Sequence, residues 1–92
     1  MAALSPDEIK SRLASIPGWS LEKDELVRHF QFPDFLGSIA FVNGVAQLAE
    51  AAGHHPDIDI RYNKVRLALT THDAGGISSK DFDLAAKVGA LI

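Results

Sequence analysis

Cysteine is absent from this 92-residue chain, which removes disulfides, a thiolate nucleophile, a redox pair and a zinc-finger ligand set together. Positive charge is scarce as well. Nine Lys and Arg stand against twelve Asp and Glu, for a formal net charge of −3, which argues against broad nucleic-acid binding, because that relies on cations to neutralise phosphates. No unbroken apolar run approaches the ~20 residues of a membrane span. The first residues lack the basic start, apolar stretch and small-residue cleavage pattern of a secretory signal, so the cytoplasm is the expected compartment. Repeats, low-complexity segments and linkers are also missing, and residues 1–92 read as a single domain. So short a chain, with no covalent staple, is marginally stable unless it oligomerises. A hydrophobic content of 47% leaves apolar surface for that.

Histidine is where the chain is informative. Of its four histidines, three fall around one segment, as His54-His55-Pro56 and then His72. Imidazole is the one side chain whose unperturbed pKa lies near neutral pH, so such a group suggests proton handling or metal ligation. Glu50 precedes the pair by four positions, near the C-terminal end of an expected helix, where a carboxylate is mildly unfavourable. That placement suits a residue kept to orient a histidine. Three imidazoles would suffice for a catalytic zinc site. Adjacent residues at a corner project divergently, however, whereas familiar metal motifs set two histidines at helical spacing on one face. Free imidazoles acting as acid and base, with no metal and no cofactor, are the preferred reading.

The elements around these residues follow from period and punctuation. Ser5-Pro6-Asp7-Glu8 is a capping box with proline at the first helical position, starting a helix expected to reach about Ile16 before Pro17-Gly18. Trp19 to Leu21 and Leu26 to Phe32 read as a hairpin around Glu22 to Glu25. From Asp34 to about Ala52 the period is helical, with Phe35, Ile39, Val42, Ala46 and Ala49 as the main stripe and Phe41 the apolar residue fitting it least. Gly53 ends that helix, and Pro56 turns the chain at His55.

Ile58, Ile60 and Tyr62 then alternate with polar residues as a half-buried strand. Val65, Leu67, Leu69 and Thr71 alternate with Arg66, Ala68, Thr70 and His72 in the next, which places His72 at a strand end. Arg61, Lys64 and Arg66 form a basic cluster, more simply a solvated hairpin end than an anion site. After Asp73-Ala74-Gly75-Gly76, Ser78 caps a last helix with Asp81 in its first turn and Leu84, Ala85, Val88 and Leu91 on its apolar face. The expected fold is α+β in the order α-β-β-α-β-β-α, a four-stranded antiparallel sheet with three helices packed on one face.

The order Glu50, three residues, His54-His55-Pro56, Tyr62, nine residues, His72, eight residues and Asp81 resembles the signature of the pterin-4a-carbinolamine dehydratases. The likeness extends from Gly18-Trp19 through Phe30, Phe32, Asn63-Lys64-Val65 and Thr71-His72, so it spans nearly the whole chain. It implies a hydro-lyase that removes water from a 4a-hydroxytetrahydropterin, with the same fold and assembly into dimers or tetramers. By position, His54 and His72 match the family's acid and base candidates, and His55 its positioning histidine. Glu50 and Asp81 match carboxylates near the site. Trp19 is more simply a core residue, although its place after Pro17-Gly18 allows it to flank a planar ligand; it and Thr71, beside His72, are the candidate substrate-binding or supporting residues. Two alternatives stand beside this reading: a dimerisation module serving a transcription factor, as described for some animal members, and a metal-dependent enzyme built on the same histidines.

Overall fold

The structure, a computed structural model, describes residues 2–92. The first helix, α1 (Pro6–Arg12), begins where the sequence marks it: the Ser5 hydroxyl accepts from the Glu8 N–H, and the Glu8 carboxylate accepts from the Ser5 N–H. The Ser5 backbone N–H foremost, and the Ser5 hydroxyl after it, hold the Glu8 carboxyl below its ordinary value. A carboxyl lowered on folding stabilises above its unfolded value, and the benefit is lost as pH falls through the folded one. The helix gives way to a 3₁₀ turn at Leu13–Ser15 instead of continuing to Ile16. Pro17 disfavours the helical region for Ile16, which adopts φ −128°.

Four strands, β1 (Ser20–Glu22), β2 (Glu25–Gln31), β3 (Asp57–Arg61) and β4 (Lys64–Leu69), form an antiparallel sheet in the order β1-β2-β4-β3. Leu26 pairs with Leu69, Arg28 with Leu67 and Phe30 with Val65, so the apolar alternation of β2 and β4 lands on one face. That face meets Ile9 of α1, Phe41, Val45 and Ala49 of α2 (Phe35–Ala52), and Phe82, Leu84, Ala85 and Val88 of α3 (Ser79–Gly89) in a single core. Leu91 lies beyond α3 and is exposed. The other face carries His29, Gln31, Lys64 and Arg66. Across it Arg61 reaches Asp59 at 3.4 Å and Arg66 reaches Glu22 at 3.7 Å, the loose ion pairs of a solvated surface.

Strand ends depart from simple alternation. Tyr62 is not the last residue of β3. It turns the chain at φ 54° and is exposed, while Asn63 ties the turn to β2 by donating from Nδ2 to the Phe32 carbonyl at 3.0 Å. Ile58 is also exposed, because β3 is a sheet edge with no neighbour beyond it. At the other end β4 stops at Leu69; Thr71 exchanges backbone bonds with Gly76, and His72 opens a 3₁₀ turn to Ala74 instead of closing the strand.

Helix α2 is capped by Asp34, whose Oδ1 accepts from the Gly37 N–H at 2.8 Å. Its core stripe is Ser38, Phe41, Val45 and Ala49, not the stripe running from Phe35 through Ala46. Phe41 lies 4.6 Å from the Phe30 ring and 5.0 Å from the Phe32 ring, and this aromatic cluster selects the buried face. Phe35 and Leu36 are left exposed, Leu36 at 75%. With 18 residues and a mean hydropathy of 1.3, α2 is long and apolar enough to cross a membrane by length and composition, although Asn43, Gln47 and Glu50 interrupt its apolar run. Because Phe41 is buried among two other rings, Phe41→Ala should destabilise the fold by about 3 to 5 kcal/mol. Leu36→Ala should stay within about 0.5 kcal/mol. Urea titration of the two variants checks both values.

Candidate functional site

The corner at the end of α2 places the histidine pair. Gly53 adopts φ 62°, its N–H donates to the Glu50 carbonyl, and the His54 N–H donates to the Ala49 carbonyl at 3.1 Å. These are the two bonds of a Schellman motif, which satisfies the last helix carbonyls and fixes where His54 leaves the helix. Pro56 then keeps His55 out of the helical region, and β3 begins at Asp57. The two adjacent side chains diverge to different partners.

His54 points inward. Its Nε2 lies 2.5 Å from Asp81 Oδ1, and the Asp81 carboxylate has no exposed surface. Asp81 Oδ2 accepts from the Thr71 hydroxyl at 2.8 Å and from the Ser78 N–H at 2.9 Å. Thr71 Oγ1 and Ser78 Oγ are 2.7 Å apart, both buried. So buried a carboxylate is tolerable only when every donor around it is directed at it, and here three are. The helix cap and the histidine partner are thus one carboxylate doing both jobs.

His55 points outward. Its Nε2 is 2.8 Å from Glu50 Oε1, with both side chains mostly exposed. The histidine within hydrogen-bond reach of Glu50 is therefore His55, not His54. The pair borders a cavity of 510 Å³ that Ala46, Gln47, Pro56 and Ile58 also line. His72 is exposed at the start of its turn and borders another cavity, of 450 Å³, with Lys23, Asp24, Glu25 and Thr70.

The single histidine cluster anticipated from sequence is therefore two hydrogen-bonded pairs and a third ring reached through the chain, since His72 follows Thr71 and Thr71 bonds the carboxylate that holds His54. Among the described residues no hydrogen bond joins one histidine to another, and no three His, Cys, Asp or Glu side chains gather closely enough to hold a metal ion. Trp19 is not brought to the histidines. It is buried edge-on against Phe30 and lines a separate cavity with Gly18 and Arg28. Ser78, read from sequence only as a helix cap, is a buried member of the Asp81 network. The spacing Ser78-x-x-Asp81 signals the cap, but nothing in it signals Thr71 or His54.

A buried carboxylate–histidine pair beside a second, exposed one, on this sheet and these helices, can be compared with known proteins. The family model described as pterin 4 alpha carbinolamine dehydratase matches residues 2–91. The chain belongs to that family. Proteins provisionally named pterin-4-alpha-carbinolamine dehydratase are 60% identical in Acidobacterium capsulatum, over 100% of both chains, and 62% identical in Chloroflexus aurantiacus, over 100% of this chain and 99% of the other. A crystal structure described as a transcriptional coactivator/pterin dehydratase from Brucella melitensis superposes with a TM-score of 0.93 at 31% identity, covering 97% of each chain. A pterin dehydratase-like protein identified as a RuBisCO assembly factor in the alpha-carboxysome gives 0.66 at 26% identity, over 79% of this chain and 84% of that one.

The two carboxylates of this family member should differ sharply in what they contribute to folding. Removing Asp81 strands the Thr71 hydroxyl, the Ser78 N–H and the His54 ring in a buried site, and Asp81→Ala should cost about 3 kcal/mol or more. Glu50→Ala removes an exposed pair and should change stability by less than about 0.5 kcal/mol. Denaturant midpoints of the two variants, compared with the wild type, give the measurement.

Proposed function

We propose that this protein is a hydro-lyase that dehydrates 4a-hydroxytetrahydropterin to the quinonoid dihydropterin by histidine acid–base catalysis, as a step of tetrahydropterin recycling. Family membership supports the substrate class. The observation that carries the mechanism is the buried Asp81 carboxylate on His54, because it gives one imidazole a fixed orientation and a hydrogen-bond partner on a defined ring nitrogen. In the reaction the C4a–O bond breaks as a proton is delivered to the departing hydroxyl, N5 gives up its proton, and the N–H electron pair becomes the C4a=N5 bond. Water is the only other product. No electron acceptor is consumed and no covalent intermediate is needed.

His54 and His72 carry the two proton transfers in this scheme, and His55, oriented by Glu50, positions the pterin. Trp19 supports the site at a distance, through the core it shares with Phe30. Free imidazoles are favoured over a metal because, among the described residues, no three His, Cys, Asp or Glu side chains gather closely enough to hold an ion. A cytoplasmic setting suits such a recycling enzyme. The partner-docking alternative draws on the apolar exposure of Phe35 and Leu36 and on the coactivator description of the Brucella relative. Those same side chains, with Ile58 on the edge strand, fit a contact between copies of this chain, and we assign them to a homodimer or homotetramer.

Steady-state kinetics on purified variants test the catalytic roles. His54→Ala and His72→Ala should remain folded and lose about 10²- to 10⁴-fold in kcat. His55→Ala should raise KM more than it lowers kcat. Exhaustive chelation should leave the wild-type rate unchanged. Near-wild-type turnover in both of the first two variants, or loss on chelation restored by zinc, would overturn the scheme.

Assembly is tested separately by sedimentation at micromolar concentration. The wild type should run as a dimer or larger, and Leu36→Glu should reduce the assembly without unfolding it. A monomeric wild type would refute the assembly.

A further inference from the structure

Hydrogen-bond direction in the Asp81 network is forced by the groups that meet there. The Ser78 backbone N–H can only donate, and it points at Asp81 Oδ2. Thr71 Oγ1 lies 2.8 Å from the same oxygen, and a carboxylate has no hydrogen to offer, so the Thr71 hydroxyl donates too. Its single hydrogen is then spent. At 2.7 Å from Ser78 Oγ it must accept, which makes the Ser78 hydroxyl the donor and pins the Thr71 hydrogen on Asp81. All these atoms are buried, and Thr71, Ser78 and Asp81 are 4%, 0% and 0% exposed. Water cannot easily substitute for a missing member.

The consequence reaches His54. With Oδ2 held by two donors, Oδ1 is the oxygen turned to the ring, and its partner atom is Nε2. An acceptor at that position keeps the hydrogen on Nε2 in the neutral ring, which leaves the lone pair on Nδ1. Nδ1 is not among the sealed, unpartnered side-chain atoms of the structure. We propose that Thr71 and Ser78 are positioning residues which, by orienting Asp81, fix the tautomer of His54 and make Nδ1 the atom that takes and gives the proton. This rests on the dehydratase reading for the identity of the reaction, but not for the tautomer itself.

The mechanism assigns a definite outcome to Asp81→Asn. The Ser78 N–H requires an acceptor where Oδ2 stood, so the amide oxygen occupies that place and the amide NH₂ faces His54. Nε2 must then accept, and the ring is driven to the tautomer with hydrogen on Nδ1. A network that merely capped α3 would not set the ring's tautomer.

Nitrogen-15 NMR of the imidazoles, on folded full-length protein at a pH where His54 is neutral, reads the tautomer without any substrate. The wild type should show hydrogen on Nε2 and Asp81→Asn should show it on Nδ1. Turnover should fall about 10³- to 10⁴-fold in Asp81→Asn, the scale of a tautomer error in a histidine base. Thr71→Val should lower kcat about 10- to 100-fold with KM nearly unchanged, and Thr71→Ser should restore most of it. Ser78→Ala should fall between wild type and Thr71→Val.

Hydrogen on Nδ1 in the wild type, no inversion in Asp81→Asn, or full turnover in a folded Thr71→Val would each overturn the proposal. Should the wild type fail to dehydrate a 4a-hydroxypterin at all, the inversion alone would still uphold the network's role, and only the reaction would need reassignment.

Discussion

A carboxylate shut away from water is stable only where donors surround it, and Asp81 meets this demand with one hydroxyl, one backbone N–H and one imidazole drawn from three separate parts of the chain. The hydroxyl comes from the segment after β4, the N–H from the start of α3, and the imidazole from the corner after α2. Packing these three together is what the fold has to accomplish around its site. The Thr71–Gly76 bridge, the Ser78 cap and the Schellman turn at Gly53 each deliver one donor to the same place. One carboxylate therefore both caps the α3 N-terminus and holds the His54 ring.

The contrast with Glu50 and His55 shows how environment divides two pairs of the same chemical type. Both put Nε2 within hydrogen-bond distance of a carboxylate. One is enclosed, where electrostatic interactions are strong; the other is exposed, where solvent screens the pair. A rigid imidazole suits proton transfer at a defined atom.

Much of this was legible in the sequence because local signals and global packing agree. The Ser5-Pro6-Asp7-Glu8 box, the Asp34 cap, the Gly53 stop and the alternation through β2 and β4 each fix an element from residues a few positions apart. The core face of α2 was not legible, because the helix is apolar nearly all round and the choice of Phe41 over Phe35 is made by Phe30 and Phe32 on the sheet. Ile58 alternates as a buried residue does and is exposed only because β3 has no outer neighbour. In the site, the carboxylates and histidines were identifiable by spacing, yet their pairing was not. His54 and Asp81 are 27 positions apart, and no local pattern says that Asp81 would take His54 while Glu50 took His55.

The central claim is that the histidines of this chain dehydrate a 4a-hydroxytetrahydropterin. The most direct measurement generates that substrate in situ, follows formation of the quinonoid dihydropterin spectrophotometrically, and compares the rate with purified protein against the rate in buffer alone. The account predicts an acceleration that is proportional to protein concentration and saturates with substrate. A rate in the presence of folded protein equal to that in buffer would contradict it.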